Sequence, residues 1–559
     1  MRERRLLVYA RLGLFVAVAA ASVAACESHA GSAATDAGPQ DAAALDAAAP
    51  DADVRDAPAA GDAGPAAWFY GTDCPPAAPA SVPPASPRIL VLGPGDIALP
   101  LAAYLQGMLA ADAAYTAPAV EAASTSDGGG GVSLMNFFYQ PDGRDARLAW
   151  LAEPWSYVVL LEDAAAALYY PELYFEGVRA LGCNARAAGA QPIVLVSWSC
   201  HDAPGVPSPD TALRGELAYR VANGTSAVVA PAGYARAAIP VPAAPGADGG
   251  FVPVRPCSPV DSFVAAATLY STLTGRDAAA TSYRPLDIAA DEVAPLAATA
   301  RDTVATEAAR VHYQEPFHGV VELRTAPAGG DFWFMDSGSS SEQIWFDRMT
   351  EILPQAGYTP QGTQIGYTNP YKSFDAACLD NAVPYFQQQQ YRVLLARSYA
   401  IDAATIAATG AQTDLQVQIW DRHADADPSD GLAAVAMLES MSQGTYAQAR
   451  SWGAAMVPYH LMFAKLKTMR PSVQLLSDGT HATYPVGYGL ATMSIVARTG
   501  RHPQTDGLDA DTALAAQLAE ETIRQLANLS VTGGFVADDP GARPRPACAS
   551  ARRWTEQPR

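Results

Sequence analysis

The sequence has few basic residues, cysteines and histidines for its length. Its 559 residues include 36 Lys and Arg against 57 Asp and Glu, which gives a formal net charge of −21. A chain this acidic is not expected to bind nucleic acid or to dock on anionic lipid through its surface charge. The seven Cys form no Cys-x-x-Cys pair of the kind that structural zinc sites use. The sequence gives no sign of a cofactor or a metal.

Apolar runs long enough to cross a membrane are also missing, and the most apolar segment lies near the N-terminus. The basic stretch MRERRLLVYAR is followed by the apolar run LGLFVAVAAASV, whose last residue opens the sequence Val23-Ala24-Ala25-Cys26. This order is typical of a signal peptide, and its last four residues resemble the lipobox of bacterial lipoproteins. The resemblance implies that residues 1–26 are a lipoprotein signal, that Cys26 is lipidated, and that Glu27 permits sorting to the outer membrane. An ordinary signal peptide with a chance Cys is the alternative.

Large apolar side chains are nearly absent from residues 27–86, which are rich in Ala, Asp and Pro. Such a segment cannot bury enough apolar surface to offset the entropy lost on ordering, so it is predicted to be a disordered tether. An Ala-rich helix is the alternative, but the interspersed Pro and Asp disfavour it. Residues 534–559 are expected to form a loosely held tail.

The rest of the chain contains two copies of one pattern. Residues 90–117 and 333–360, at an offset of 243 (360 − 117), each show an apolar strand, a loop, an amphipathic helix and a closing Ala-[Ala/Gly]-Tyr-Thr. Further on, YVVLLED at 157 matches YRVLLAR at 391, and GAQPIVLVSW at 189 matches GAQTDLQVQIW at 410, each with a Trp at the strand end. The copies predict one domain over residues 87–312 and another over 313–533.

The predicted strands, such as RILVLG and PIVLVSW, are short continuous apolar runs, as expected when both faces of a sheet are covered. They alternate with helical segments, which favours parallel sheets with right-handed crossovers. The predicted fold class is therefore α/β, with two tandem flavodoxin-like three-layer domains. Ligands of such sheets bind at the C-terminal ends of the strands.

Residues suited to acyl transfer stand at such positions in the second copy. Ser337 follows the first predicted strand, DFWFMD, and Asp478 and His481 precede the last predicted helix. An Asp three positions before a His can hold one ring nitrogen while the other nitrogen faces a Ser hydroxyl. The alternatives are structural: the serines from 337 to 341 cap the helix that follows, and Asp478 caps a turn.

The block SDGTHATYPVGYGLA, residues 477–491, resembles the closing block of the SGNH (GDSL-like) hydrolases, a family of serine esterases. The resemblance implies ester hydrolysis with His481 as the base and Asp478 as its partner. It makes Ser337 the nucleophile, or Ser339 if the register slips, because Met335 stands where the family has a Gly ahead of Asp-Ser.

Other parts of the pocket follow from the same resemblance. Gly366 and Asn369, in IGYTNP, are the nearest match to the block that supplies oxyanion donors, while LLARS at 394–398 lacks the Asn or Gln of the next block. Residues 420–427, WDRHADAD, combine a His with carboxylates, but their spacing fits no standard metal site. We interpret them as a solvated loop above the pocket, with Trp420 lining its floor.

The first copy lacks these catalytic residues. Its first strand is followed by Gly93-Pro94-Gly95, and an offset of 225 (501 − 276) places Pro253 and Pro256 where Asp478 and His481 stand in the second copy. Cys200 and Cys257 flank the corresponding edge, which suggests a disulfide across an inactive site. The alternative is that both remain free, buried thiols.

Two functions from different classes remain open at this point. The first is an exported, lipid-anchored esterase or acetylesterase at the outer membrane, acting on acyl esters that include those of polysaccharides. The second is a non-catalytic surface protein in which both domains serve as binding or scaffold modules, since a fold does not determine a function. We also expect residues 313–540 to fold alone and to hold any esterase activity.

Overall fold

A computed structural model of the protein shows two parallel β-sheets, one after the other along the chain. Cys26, most of the predicted tether, the predicted boundary between residues 312 and 313, and the C-terminal tail lie outside the part of the chain that the structure describes. The described residues are 83–124, 133–137, 151, 153–199, 209–239, 258–310, 321, 323–324, 329–336, 340–364, 391–397, 416–420, 446, 449, 455–470, 472–477 and 481–527.

The first sheet is built from five short strands. These are β1 (Arg88–Gly93), β2 (Ala119–Ser124), β3 (Tyr157–Leu160), β4 (Gln191–Leu195) and β5 (Val228–Ala230). They are parallel and lie in the order β2-β1-β3-β4-β5. All four residues of β3 are buried. Burial on both faces explains why the strand is continuously apolar in sequence.

Helices cover both faces of this sheet. They are α1 (Gly95–Ala111), α2 (Ala166–Tyr169), α3 (Pro171–Ala187), α4 (Pro209–Thr225), α5 (Ala232–Ala237), α6 (Pro259–Thr274) and α7 (Ala290–Ala308). Ile89 and Val91 of β1 share a core with α1, α6 and α7. Leu90 and Leu92, on the opposite face, pack with α3 and α4. The elements from β1 to α7, which we call the first half, therefore form three layers.

The second half repeats this arrangement. Its strands are β6 (Asp331–Asp336), β7 (Thr359–Gln364), β8 (Tyr391–Arg397), β9 (Gln416–Trp420) and β10 (Ala455–Met456), and its helices are α8 (Ser340–Ile352), α9 (Tyr459–Met469), α10 (Tyr484–Thr499) and α11 (Ala510–Ala527). The strands are parallel in the order β10-β9-β8-β6-β7, the same order as in the first sheet read from its other edge. The predicted fold class is confirmed. Among the described residues, no helix combines the length and the apolar character needed to cross a bilayer.

The two halves match at the offsets that the sequence comparison predicts. Helices α6 and α10 start 225 residues apart (484 − 259) and end 225 residues apart (499 − 274). In the sheets, Val91 pairs with Val159 and Phe334 pairs with Val393. These pairs reproduce the offsets of 243 (334 − 91) and 234 (393 − 159) at which the strand sequences align.

One predicted correspondence is displaced by a residue. The register of β4 and β9 on their neighbouring strands places Trp420 level with Ser197, so that Trp198 lies one position further along. Trp420 is the last residue of β9, whereas β4 ends three residues before Trp198 (198 − 195). Because successive positions of a strand belong to opposite faces of the sheet, the two Trp are not structural equivalents.

The two halves share one buried core. Phe332 and Trp345 of the second half belong to the same apolar cluster as Leu173 and Leu181 of α3. Both sheets lie within a single compact unit. Helix α9 buries part of its surface against α3, which disfavours the independent folding expected for residues 313–540.

Candidate active site

The C-terminal edge of the second sheet leads into the predicted nucleophile segment. Strand β6 ends at Asp336, which pairs with Gln364 of β7 and Leu395 of β8. Parallel strands present their C-terminal ends at one edge, where ligands bind in this fold class. Ser337 is the next residue of the chain, and helix α8 begins three residues later at Ser340.

Several of the predicted site residues lie outside the described residues, and their assignments stay predictions. These residues are Ser337, Ser339, Gly366, Asn369 and Asp478. Trp420, in contrast, is described: it is the last residue of β9, at the same edge of the sheet as Asp336.

A closed loop holds His481 ahead of helix α10. Leu476 and Ala482 form an antiparallel bridge, and the Ser477 N–H donates to the His481 carbonyl oxygen over 2.8 Å. The Thr483 N–H donates to the Leu475 carbonyl over 2.9 Å. The loop is therefore clamped at its base by main-chain bonds, with His481 half-buried at its end. Asp478 belongs to the same loop by sequence.

Helix α10 starts in the manner that its sequence predicts. Thr483 is its N-cap in extended conformation, and Pro485 occupies the first turn. Proline suits this position because the first N–H groups of a helix have no partner within the helix. The helix begins three residues after His481 (484 − 481), so the orientation of α10 limits where the imidazole can lie.

Helices α8 and α10 pack against each other without a gap. A Cβ on Gly487 would lie 2.2 Å from the Ile344 Cγ2, so only glycine permits this approach. The indole N–H of Trp345, which is fully buried, donates to the Ser494 Oγ over 3.0 Å. This contact holds together the helix that follows Ser337 in the sequence and the helix that follows His481.

The first turn of α10 is also tied to α8 by polar contacts. The Arg348 guanidinium lies 4.4 Å from the centre of the Tyr484 ring and donates to Glu351 over 2.6 Å. The Tyr484 hydroxyl donates to the same carboxylate. Burial and the Glu351 charge raise the pKa of Tyr484, and the same two causes raise the pKa of Tyr488 to about 12. Both phenols are therefore neutral hydrogen-bond donors at ordinary pH.

The equivalent region of the first half contains no nucleophile. Strand β1 ends at Gly93 and α1 begins at Gly95, so a single proline, Pro94, stands where the second half has residues 337–339. A Cβ on Gly93 would lie 2.7 Å from the Leu161 carbonyl oxygen, so the backbone itself fills this space. The one residue between β1 and α1 is a proline, which has no hydroxyl group.

The start of α6 in the first half is closed by an ion pair. Ser258, at the position of Thr483 in the second half, forms a capping box with Asp261. The Arg236 guanidinium donates to the same Asp261 carboxylate over 2.7 Å, with both side chains buried. Pro253 and Pro256, which align with Asp478 and His481, lie outside the described residues.

The structure identifies one cysteine, Cys183, as part of a disulfide. Cys183, in the buried part of α3, is disulfide-bonded. Its partner is one of the six other Cys. All six, including Cys200 and Cys257, lie outside the described residues. The proposed Cys200–Cys257 bridge therefore stays a prediction. Sequence reasoning did not single out Cys183, because a lone Cys within a helix carries no spacing signal.

Sequence reasoning also missed two carboxylates at the edge of the first sheet. Glu162, two residues after the end of β3, is buried and accepts the Leu134 N–H at 3.2 and 3.0 Å and the Asp163 N–H at 2.9 Å. Burial raises the pKa of Asp163. Two adjacent carboxylates after an apolar strand, in VVLLED, are the signal that could have found them. The Glu162 carboxylate holds the turn at Leu134–Phe137 against the sheet.

Comparisons with known proteins show limited similarity. No protein-family model matches the sequence, and no curated protein matches it. A solved structure described as "a putative SGNH hydrolase from Slackia heliotrinireducens" is 28% identical with a TM-score of 0.26, over 34% of this chain and 99% of that one. A DUF4886 family protein from Bacteroides uniformis is 12% identical with a TM-score of 0.27, over 41% of this chain and 98% of that one. The fold assignment therefore stands on the strand order of the two sheets.

Proposed function

We propose that the protein is an exported, lipid-anchored ester hydrolase of the SGNH type, with its catalytic centre in the second half. The observation that carries the proposal is the close packing of α8 on α10 at Gly487 and Ile344. It joins the helix that follows Ser337 to the helix that follows the clamped His481 loop. A nucleophile and a base from distant parts of the sequence need such a fixed relationship to act together.

The proposed mechanism is acyl transfer through a covalent intermediate. The Ser337 hydroxyl oxygen attacks the ester carbonyl carbon while the His481 imidazole accepts the hydroxyl proton. Asp478 accepts a hydrogen bond from the other ring nitrogen and stabilises the imidazolium. The imidazolium then gives its proton to the departing alcohol, and water hydrolyses the acyl-enzyme by the same route. Gly366 and Asn369 are proposed to donate to the oxyanion, and Ser339 is the alternative nucleophile.

The proposed substrates are acyl or acetyl esters, including those on polysaccharides, and the proposed location is the outer membrane. The location is supported by the signal-like N-terminus that ends at Cys26. The disulfide of Cys183 adds support, because disulfides persist in oxidising compartments such as the bacterial periplasm. Replacing Cys26 with Ser should move the protein from the membrane to the soluble fraction. Equal labelling of wild type and Cys26→Ser by a palmitate analogue would contradict the lipid anchor.

Labelling with a fluorophosphonate and hydrolysis of p-nitrophenyl acetate test the catalytic proposal. Wild type should be labelled, His481→Ala should lose both labelling and hydrolysis, and one of Ser337→Ala and Ser339→Ala should do the same. Ser282→Ala, an exposed serine of the first half, is the control that should change neither. Absence of fluorophosphonate labelling in correctly folded wild type would refute the proposed esterase activity.

A non-catalytic role is proposed for the first half, where Pro94 alone connects β1 to α1. If the second half is not labelled either, the whole protein becomes a binding or scaffold protein. Its interaction would then be sought at the same strand edges, since these are the ligand-binding edges of the fold.

A further inference from the structure

A much larger part of helix α3 is buried than is usual for a surface helix. Every residue from Pro171 to Cys183 is buried, whereas a surface helix normally buries one stripe. Leu173 and Leu181 contribute to the core shared by the two halves. Its polar residues Glu172 and Glu176 are also without exposed side-chain surface, at 0% each. Both carboxylates contact helix α9 of the second half.

Charged groups from both halves meet there. The Lys465 ammonium of α9 donates to the Glu176 Oε1 over 2.8 Å, and the His460 Nε2 lies 2.9 Å from the Glu172 Oε1. Arg179 donates to the second Glu176 oxygen from Nε and Nη2, at 3.1 and 2.9 Å. Two residues of α11 also accept from the Lys465 ammonium, at 3.1 and 3.3 Å. We call the following residues the interface cluster: Glu172, Glu176, Arg179, His460, Lys465, Thr522 and Gln525.

The buried charges of the interface cluster restrict the movement of α9 relative to α3. Burial raises the pKa of Glu176, but the charges of Arg179 and Lys465 outweigh burial, so its pKa lies below the usual range and the group is an anion. Burial lowers the pKa of Lys465, and the Glu176 carboxylate opposes that effect. Burial also raises the pKa of the nearby Glu521. A buried charge that loses its partner is strongly unfavourable, so α9 has little freedom to shift relative to α3.

Helix α9 is in turn connected to the loop of His481. The Lys467 ammonium near the end of α9 donates to the Val473 carbonyl over 3.1 Å. Two residues further on, the Leu475 carbonyl accepts the Thr483 N–H, which closes the loop. Val473 and Leu475 are both buried. A displacement of α9 would therefore be transmitted to the base of the loop that ends in His481.

We infer that the first half, in which Pro94 alone connects β1 to α1, acts as a positioning partner for the second half. Glu172 and Glu176 hold α9 in place and thereby hold the main-chain clamp beneath His481. The catalytic consequence of this inference rests on the proposed function, whereas the mechanical coupling between the halves does not. Glu176 is a positioning residue that lies in a different half of the chain from the group it positions.

Hydrogen exchange of the full chain tests the coupling. The probes are the amides of Ser477 and Thr483, which form the clamp, and the amides of α8, which report the general stability of the second half. In Glu176→Gln the clamp amides should exchange at least about tenfold faster, with little change in α8. Asp261→Asn is the matched control, because Asp261 is also a buried carboxylate of the first half, paired with Arg236 at 2.7 Å. It should leave the clamp amides unchanged.

Enzyme kinetics provide the second arm. Glu176→Gln should lower kcat for p-nitrophenyl acetate more than it changes KM, and Glu176→Asp, which keeps the charge, should recover part of the loss. If Glu176→Gln does not fold, the exchange measurement is made on Glu176→Asp with the same expected pattern. The inference would be overturned if amide exchange became faster to the same extent in the clamp and in α8, or if exchange of the clamp amides did not become faster. Wild type that hydrolyses no ester but shows the expected exchange pattern would refute the proposed function and leave the coupling in place.

Discussion

Gly275 and Gly500 end helices α6 and α10 in the same left-handed conformation, with φ of 67° and 68°. Each N–H closes the last turn by donating to a carbonyl four residues earlier, over 2.9 Å at Gly275 and 2.8 Å at Gly500. The two residues are 225 positions apart (500 − 275), at the offset that relates the two helices from end to end. The repeat thus extends to the backbone conformation of a single cap.

Replacement of Gly275 by Ala should lower the free energy of unfolding by about 1 to 2 kcal/mol, because a Cβ is unfavourable in the left-handed region. The space around the position is open, so no clash adds to this cost. Gly275→Asn should cost less than the Ala variant, since Asn tolerates this conformation better. Urea unfolding of the three proteins measures the difference in the free energy of unfolding. An Ala variant as stable as wild type would contradict the backbone strain expected at position 275.

The two glycines near the start of α10, Gly487 and Gly489, should respond differently to Ala. At Gly487 the new methyl group meets the Ile344 side chain at 2.2 Å, so we expect a loss of about 1 to 3 kcal/mol from overpacking. At Gly489 it meets the Met462 sulfur, also at 2.2 Å. A flexible thioether can move aside, and the gain of about 1 kcal/mol in helix propensity offsets part of the cost. Thermal unfolding should rank Gly487→Ala as the less stable variant, and Gly487→Ala should also reduce fluorophosphonate labelling.

The stability that Glu176 contributes should disappear in acid. Its pKa is lower in the folded protein than the ordinary value of about 4.5, so its contribution is complete above that value and is lost as pH falls through the folded pKa. At pH 7, Glu176→Gln should be about 3 to 5 kcal/mol less stable than wild type, because Lys465 and Arg179 lose their counter-charge. Below about pH 4.5 the difference between the two proteins should shrink. A difference that is constant from pH 3 to 7 would show that Glu176 is not ionised in the native state.

Residues 313–540 expressed alone should not unfold cooperatively. Removing the first half exposes the surface of α9 that α3 covers, and it divides a core that the two halves share. A chain of residues 87–540, which keeps both halves, is the control and should show one cooperative transition by circular dichroism. Cooperative unfolding of the shorter chain would restore the view of two independent domains.

The local pattern of the sequence determined the fold class and much of the element order. Continuous apolar strands, alternation with helices and the repeated Thr-Gly-Arg ending of α6 and α10 depend on short-range periodicity and capping. For this reason the offsets of 243, 234 and 225 reappear in the strand pairs and helix ends. Of the candidate site, the sequence alone also located His481 directly before a helix with Pro485 in its first turn.

Tertiary structure alone decided how the two halves are joined. Glu172, Glu176 and Arg179 occupy one face of α3 at helical spacing, a pattern that ordinarily marks a solvated surface. Their burial depends on α9, which lies almost 300 residues away, as the separations of 288 for Glu172–His460 and 289 for Glu176–Lys465 show. The one-residue displacement of Trp198 from Trp420 likewise came from strand register, which depends on pairing between strands. Neither property is encoded within a window of neighbouring residues, because each depends on which distant segments the packed core brings together.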